Sequence, residues 1–268
     1  MCHRITLALM VWLLSCAPAL SWGPQGHHII ARIAAGELTP KASAAVADLL
    51  GGDALSSMVT ASTYADEIRP SRRETAAWHY VNIEIDSDGY DSVRDCPDDA
   101  CVVAQIEHEE QIVGNASIAK PIRSEALRLL IHFIGDLHQP LHCADNHDKG
   151  GNLVKVVLRG EQTNLHAVWD TAVVEALGSS EETVAAVLAS QITQRDRRAW
   201  SQGTAVGWAN ETWAIAKRFV YGSVPGVGAT EAPIVLPSSY ETAQRAVVAK
   251  QLERAGVRLA AVLNFRLT

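Results

Sequence analysis

Residues 131–142 read IHFIGDLHQPLH, a mostly apolar helical stretch that nevertheless carries His132, Asp136, His138 and His142. A segment built on Ile, Phe and Leu is bound for a core. An ionisable group placed there costs several kcal/mol unless a partner neutralises it. Any fold open to this chain must therefore bring such partners to these four positions. His132 and Asp136 lie four residues apart, so on a helix they share a face and can converge on one point. Pro140 ends the helix, and His142 follows on the turn, free to point elsewhere.

The same spacing recurs at His166 and Asp170 in NLHAVWDTA. Upstream, ADEIR offers Asp66 and Arg69, WHYVN offers His79, and WGPQGHH offers His27. Taken singly, each reads as easily as a hydrogen-bonded core or surface pair. Together they place several histidines and aspartates in apolar helical segments, where zinc would resolve the cost by accepting neutral imidazole and carboxylate at once. Cysteine ligands are nearly absent, which favours an open catalytic site over a closed structural one. Spacing alone therefore points to a two-metal hydrolase.

The first 21 of the 268 residues have the build of a secretory signal: Arg4, the apolar run ITLALMVWLL, and Ala19-Leu20-Ser21 before a cleavage point. A mature chain of residues 22–268 would begin at Trp22, be soluble and extracytoplasmic, and carry no membrane anchor. The net charge of −7 argues against long electrostatic tracking along duplex nucleic acid. Cys96 and Cys101, in DCPDDAC, are expected to pair in an oxidising compartment. Cys143 reads as a buried thiol.

Helical periodicity dominates, with expected helices over 26–38, 41–52, 60–69, 102–115, 123–139, 165–177, 181–192, 207–222 and 241–264. WHYVNIEID reads as a short extended segment and GGNLVKVVLRGEQTN as a small hairpin. A Pro/Gly-rich loop spans 222–237. The expected architecture is one mainly α domain with a small β-hairpin.

Trp22-Gly23, Gly26-His27, ASTYADEIR, WHYVNIE, HFIGDLHQPLH, GGN and NLHAVWD occur in order over nearly the whole of residues 22–268. In these motifs the chain strongly resembles the zinc-dependent single-strand-specific nucleases, a family of fungal secreted and plant bifunctional enzymes related in fold to zinc phospholipase C. The resemblance implies an extracellular endonuclease acting on single-stranded DNA and RNA, with 3′-nucleotidase activity, working as a monomer with three zinc ions. It assigns Asp66, His79, His132 and Asp136 to a first zinc, and His142, His166 and Asp170 to a second. A third would take His27, a bridging Asp136, and the amino nitrogen and carbonyl oxygen of Trp22, which only signal cleavage can free. Asp66 would also orient the attacking water, and Arg69 would neutralise charge on the phosphate. Tyr80 would stack on a base, with Asn82 at the base edge and Asn152 near the substrate.

His28, His108, His138 and His147 are set aside as structural, surface or rim residues. Two other readings share parts of the pattern: a zinc phospholipase C, and a secreted zinc-binding protein without turnover. The first would place a glutamate where this chain has Asp170, and the second would have no use for Arg69 beside Asp66.

Overall fold

The computed structural model describes residues 22–224, 226–227 and 232–268; the expected signal segment 1–21 lies outside the described residues. Helix α1 (Pro24–Gly36) starts on a proline whose missing N–H costs nothing in the first turn, and buries Ile29, Ile30 and Ile33. Thr39 caps α2 (Pro40–Leu50), and Asp53 caps α3 (Ala54–Ala61) through Ser56 N. After α4 (Tyr64–Ile68) come a 3₁₀ turn (Arg73–His79) and the short α5 (Ser92–Asp95). Then follow α6 (Val102–Gly114) and α7 (Lys120–Asp136), which is buried at every position from Leu129 onward.

Beyond α7, a 3₁₀ turn (Pro140–His142) leads to strands β1 (Lys155–Leu158) and β2 (Glu161–Asn164). The chain continues through α8 (Leu165–Ala167), a π turn (Val168–Ala172) and α9 (Val173–Glu175). Helices α10 (Glu181–Gln191), α11 (Gln194–Trp200) and α12 (Ala205–Ile215) precede β3 (Ile234–Val235) and the long α13 (Tyr240–Arg266).

The architecture is mainly α, and the buried apolar side chains form one cluster. Helix α7 runs through it, packed on α6, while α1 lies against α13. Their contact is close enough that a Cβ on Gly256 would come within 2.5 Å of Ile33 Cγ2. The expected hairpin is present, with β1 and β2 antiparallel and Leu158 opposite Glu161. Its two-residue turn, Arg159-Gly160, has positive φ at both positions, matching the right-handed twist of the strands.

Four expectations need correction. The helix expected over 60–69 is split at Ser62–Thr63, because α3 begins at Ala54 and α4 is a separate piece. Residues 78–86 are not one extended segment: His79 closes a 3₁₀ turn, and only the stretch after it is extended, with a single bridge from Glu84 to Asp145. Helix α11 was not expected at all. The Pro/Gly-rich loop holds β3, which pairs parallel to β1 through Val156 and Ile234. The Cys96–Cys101 disulfide is formed, and Cys143 is a buried thiol whose Sγ lies 3.2 Å from Leu137 O.

Candidate metal centre

Helix α7 delivers His132 and Asp136 one turn apart, and both are fully buried. Asp136 Oδ2 lies 3.1 Å from His132 Nε2 and 3.0 Å from His79 Nδ1. Its other oxygen faces His27 Nε2 at 3.4 Å and His142 Nδ1 at 3.9 Å. Asp66, on α4, approaches the same place, with Oδ1 3.7 Å from His79 Nδ1 and 3.8 Å from His132 Nε2. The His27 ring stacks on His132 with centroids 4.1 Å apart. Gly135 permits that approach, since a Cβ there would sit 2.8 Å from His27 Nδ1.

The second cluster forms where α7 stops. Gln139 caps the following 3₁₀ turn, and the turn swings His142 toward His166 and Asp170. Asp170 sits in the π turn, one of the local bulges in helices that recur at functional sites. Its carbonyl accepts the Gly23 N–H at 2.7 Å, which ties the segment after Trp22 to this turn. Trp22 itself is fully buried, against Gly26.

The proton positions in this cluster follow from its hydrogen bonds. His142 Nδ1 donates to His79 O at 2.7 Å, and His166 Nδ1 donates to Gly150 O at 2.6 Å. Each neutral ring is thereby left with a lone pair on Nε2. Those two lone pairs face each other at 3.2 Å, with Asp170 Oδ2 3.4 Å from His166 Nε2. Three electron-rich atoms so close repel one another unless a cation lies among them. His132 repeats the logic, donating Nδ1–H to Ser62 O at 2.7 Å while Nε2 turns to Asp66 and Asp136. Three buried His/Asp groups can hold a metal ion in this way: His27, Asp66 and His132; His79, His132 and Asp136; and His142, His166 and Asp170. The donor set fits ions that take nitrogen and oxygen together.

The protein's own charges point the same way. Burial holds His142 down at about 3 and His166 at about 4, so both rings stay neutral and ready to coordinate at ordinary pH. Burial also lowers His27 and pushes Asp170 well above the usual carboxylate range. At Asp136 burial opposes ionisation, but the charge of His132 and hydrogen bonds from His132, His27 and His79 overcome it, and the carboxyl sits well below its ordinary value. His132 is the partner: burial disfavours its charge, yet Asp136 and Asp66 raise it to about 9. A cation here would replace that proton.

A cleft of about 380 Å³ opens over the two clusters, lined by Arg69, His79, Tyr80, Asn82, Leu141, His142, Lys149, Asn152 and His166. Arg69, Tyr80, Asn82 and Asn152, all singled out from sequence, thus meet at one opening. Tyr80 is 36% exposed there. Nearby, Glu74 pairs with Arg72 and Glu67 accepts from Thr63.

Sequence reasoning missed Lys149 and also Gln139, whose Nε2 donates to Asp170 Oδ1 at 2.6 Å and so orients a candidate ligand. The histidines set aside go elsewhere. His28 pairs with Glu181 at 2.9 Å, and His108 and His147 are exposed. His138 donates to Ile134 O and accepts from Arg258.

The family model for S1/P1 nuclease matches residues 22–268. The chain belongs to the S1/P1 nuclease family. It is 31% identical to endonuclease 2 of Arabidopsis thaliana, covering 98% of this chain and 96% of that protein. Nuclease P1 of Penicillium citrinum is 29% identical, over 91% of this chain and 97% of that protein. Nuclease S1 of Aspergillus oryzae is 30% identical, over 91% of each. The family is one of phosphodiesterase hydrolases, and this member is a nuclease whose substrates are nucleic acids. Among the described residues no helix is long and apolar enough to cross a membrane.

Proposed function

We propose that this chain is a secreted or periplasmic, monomeric zinc-dependent endonuclease. It cleaves single-stranded DNA and RNA to 5′-phosphate products and removes phosphate from 3′-nucleotides. The carrying observation is the pair of opposed Nε2 lone pairs on His142 and His166 beside Asp170, at the floor of a cleft that also holds Arg69 and Tyr80. Such a set has no purpose in a core except to hold a cation, and the cleft gives that cation access to a substrate.

Asp66, His79, His132 and Asp136 would hold one zinc, and His142, His166 and Asp170 a second. His27, Asp136, and the amino nitrogen and carbonyl oxygen of Trp22 would hold a third. The amino group exists only once residues 1–21 have been removed as a signal. When bound, zinc supplies Lewis acidity and a water acidic enough to ionise near neutral pH.

The protein's own side chains do the rest. Asp66, less buried than Asp136, orients the attacking water toward phosphorus. Arg69 offers a planar guanidinium to the phosphate oxygens as negative charge accumulates on them. Tyr80 stacks on an unpaired base, an interaction worth roughly 1–3 kcal/mol and tolerant of sequence. A duplex keeps its bases stacked inside and cannot use it, so single strands are preferred. Asn82 meets the base edge, and Asn152, whose Nδ2 donates to Lys149 O at 2.8 Å, keeps its amide oxygen for the substrate.

Parallel assays on single-stranded DNA, RNA, 3′-AMP, duplex DNA and phosphatidylcholine test the reading. Turnover of the first three, weak action on duplex and none on the lipid is the expected pattern. Hydrolysis of phosphatidylcholine alone would point to a phospholipase. Full zinc content with no turnover of any substrate would leave a binding protein.

A further inference from the structure

The cleft is lined by two cationic side chains, and the mechanism above uses one of them. Arg69 lines the cleft together with His142 and His166 and is assigned to the reacting phosphate. The other is Lys149, in the loop between His142 and β1.

Three features of that loop are unusual for a solvated surface lysine. Lys149 adopts φ +56, a left-handed backbone that costs a non-glycine residue about 1–2 kcal/mol. The loop is also stapled from within. Asp145 Oδ1 accepts from the amides of Asp148 (2.8 Å) and Gly150 (3.3 Å). Asp148 Oδ1 accepts from Gly151 N (2.7 Å) and from Tyr221 Oη (2.9 Å). Lys149's own carbonyl is held by the Asn152 amide group. Finally, the loop's two aspartates, Asp145 and Asp148, spend these oxygens on backbone amides and a phenol, and Lys149 enters no ion pair among the described residues. The backbone is fixed at a strained angle on the cleft wall, while the charge is left for a ligand.

Resting on the nuclease reading, we infer that Lys149 binds the phosphate adjacent to the scissile one. It is thereby a specificity-determining residue that favours a polynucleotide chain over a substrate with a single phosphate. An ammonium suits this role because it is a point charge that does not demand one approach geometry. The flanking phosphate carries no sequence information and needs only to be held.

The test compares the wild type with Lys149→Ala and Lys149→Arg on two substrates: a dinucleoside monophosphate, which has no flanking phosphate, and a single-stranded octanucleotide. Bound metal is measured on each variant to show that the neighbouring His166 site is intact. For Lys149→Ala, the ratio of octanucleotide KM to dinucleoside KM should rise about tenfold with kcat little altered, the size of one charge-assisted hydrogen bond. The dependence of octanucleotide KM on salt should weaken by roughly 0.7 in log–log slope, the share of one single-strand phosphate. Lys149→Arg should restore both.

Equal KM changes on both substrates, or an unchanged salt slope, would overturn the inference and make Lys149 a loop residue only. A wild type that cleaves neither substrate would instead bring down the nuclease reading beneath it.

Discussion

Gly135→Ala tests the tightest contact in the centre. The new methyl would lie 2.8 Å from His27 Nδ1, 3.0 Å from His27 Cε1 and 3.5 Å from Ile30 Cδ1. Ordinary contacts between such atoms begin near 3.5 Å, so the imidazole must retreat by roughly half an ångström or more. Metal–ligand distances are fixed to about ±0.2 Å, which makes that retreat large for a ligand and small for a core residue. Overpacking costs roughly 1–3 kcal/mol, and about 1 kcal/mol returns from replacing a helical glycine. The net loss is at most about 2 kcal/mol, a fall in Tm of no more than about 8 °C. Gly256→Ala is the matched control, since its methyl would press on Ile33 of the same helix α1, away from any candidate ligand. Elemental analysis after dialysis against a chelator is the assay. Gly135→Ala should lose one metal ion per chain at chelator concentrations that the control and the wild type tolerate. Equal metal retention in all three would remove His27 from the ligand set.

Asp136→Ala should release two of three ions and lower stability by several kcal/mol, because Asp136 lies within 3.4 Å of His27, His79 and His132; full metal content would refute its bridging role. Gln139→Leu removes the 2.6 Å bond to Asp170 Oδ1 and should weaken one metal position 10–100-fold by competition titration, leaving the other positions unaffected. Arg69→Ala should keep all metal while kcat drops about 10²–10³-fold, and unaltered kinetics would return Arg69 to the surface. In metal-stripped protein, His142 at about 3 and His166 at about 4 stay neutral in the folded state while the unfolded chain takes up protons below pH 6.5. Their penalty is therefore absent above 6.5 and grows as pH falls, reaching on the order of 5 kcal/mol by pH 4. His132, at about 9, stabilises in the opposite sense, but that contribution is already complete below 6.5. Asp170, held well above the usual carboxylate range, sheds its own penalty as pH falls, so the test is made on Asp170→Asn; a Tm of that variant that stayed flat from pH 6.5 to 4 would contradict the buried, neutral assignment.

The candidate ligands were legible because chemistry and periodicity conflict at them. A His/Asp pair at i, i+4 in an otherwise apolar helix marks both a helix and a site, and His132–Asp136 and His166–Asp170 each have that form. The extended stretch after His79 was legible too, with Val81 and Ile83 buried and Tyr80 and Asn82 exposed. What stayed hidden depends on tertiary partners. No proline or glycine marks the break at Ser62, whose carbonyl is taken by His132 seventy residues away. The two residues of β3 form a strand only because β1 lies beside them. Helix α11 did carry a local signal, the Thr193–Asp196 capping box, but its polar face hid the helical period. Lys149, beside two glycines, carried no signal of its own, and only the folded loop brings it to the cleft wall.

We propose a three-ion centre completed by the freed amino group of Trp22. The most direct measurement is zinc content by elemental analysis of two preparations, one beginning at Trp22 and one carrying extra residues before it. About three zinc ions per chain in the first, and fewer in the second, is the predicted result. Equal content in both would exclude Trp22 as a ligand and leave a two-metal hydrolase.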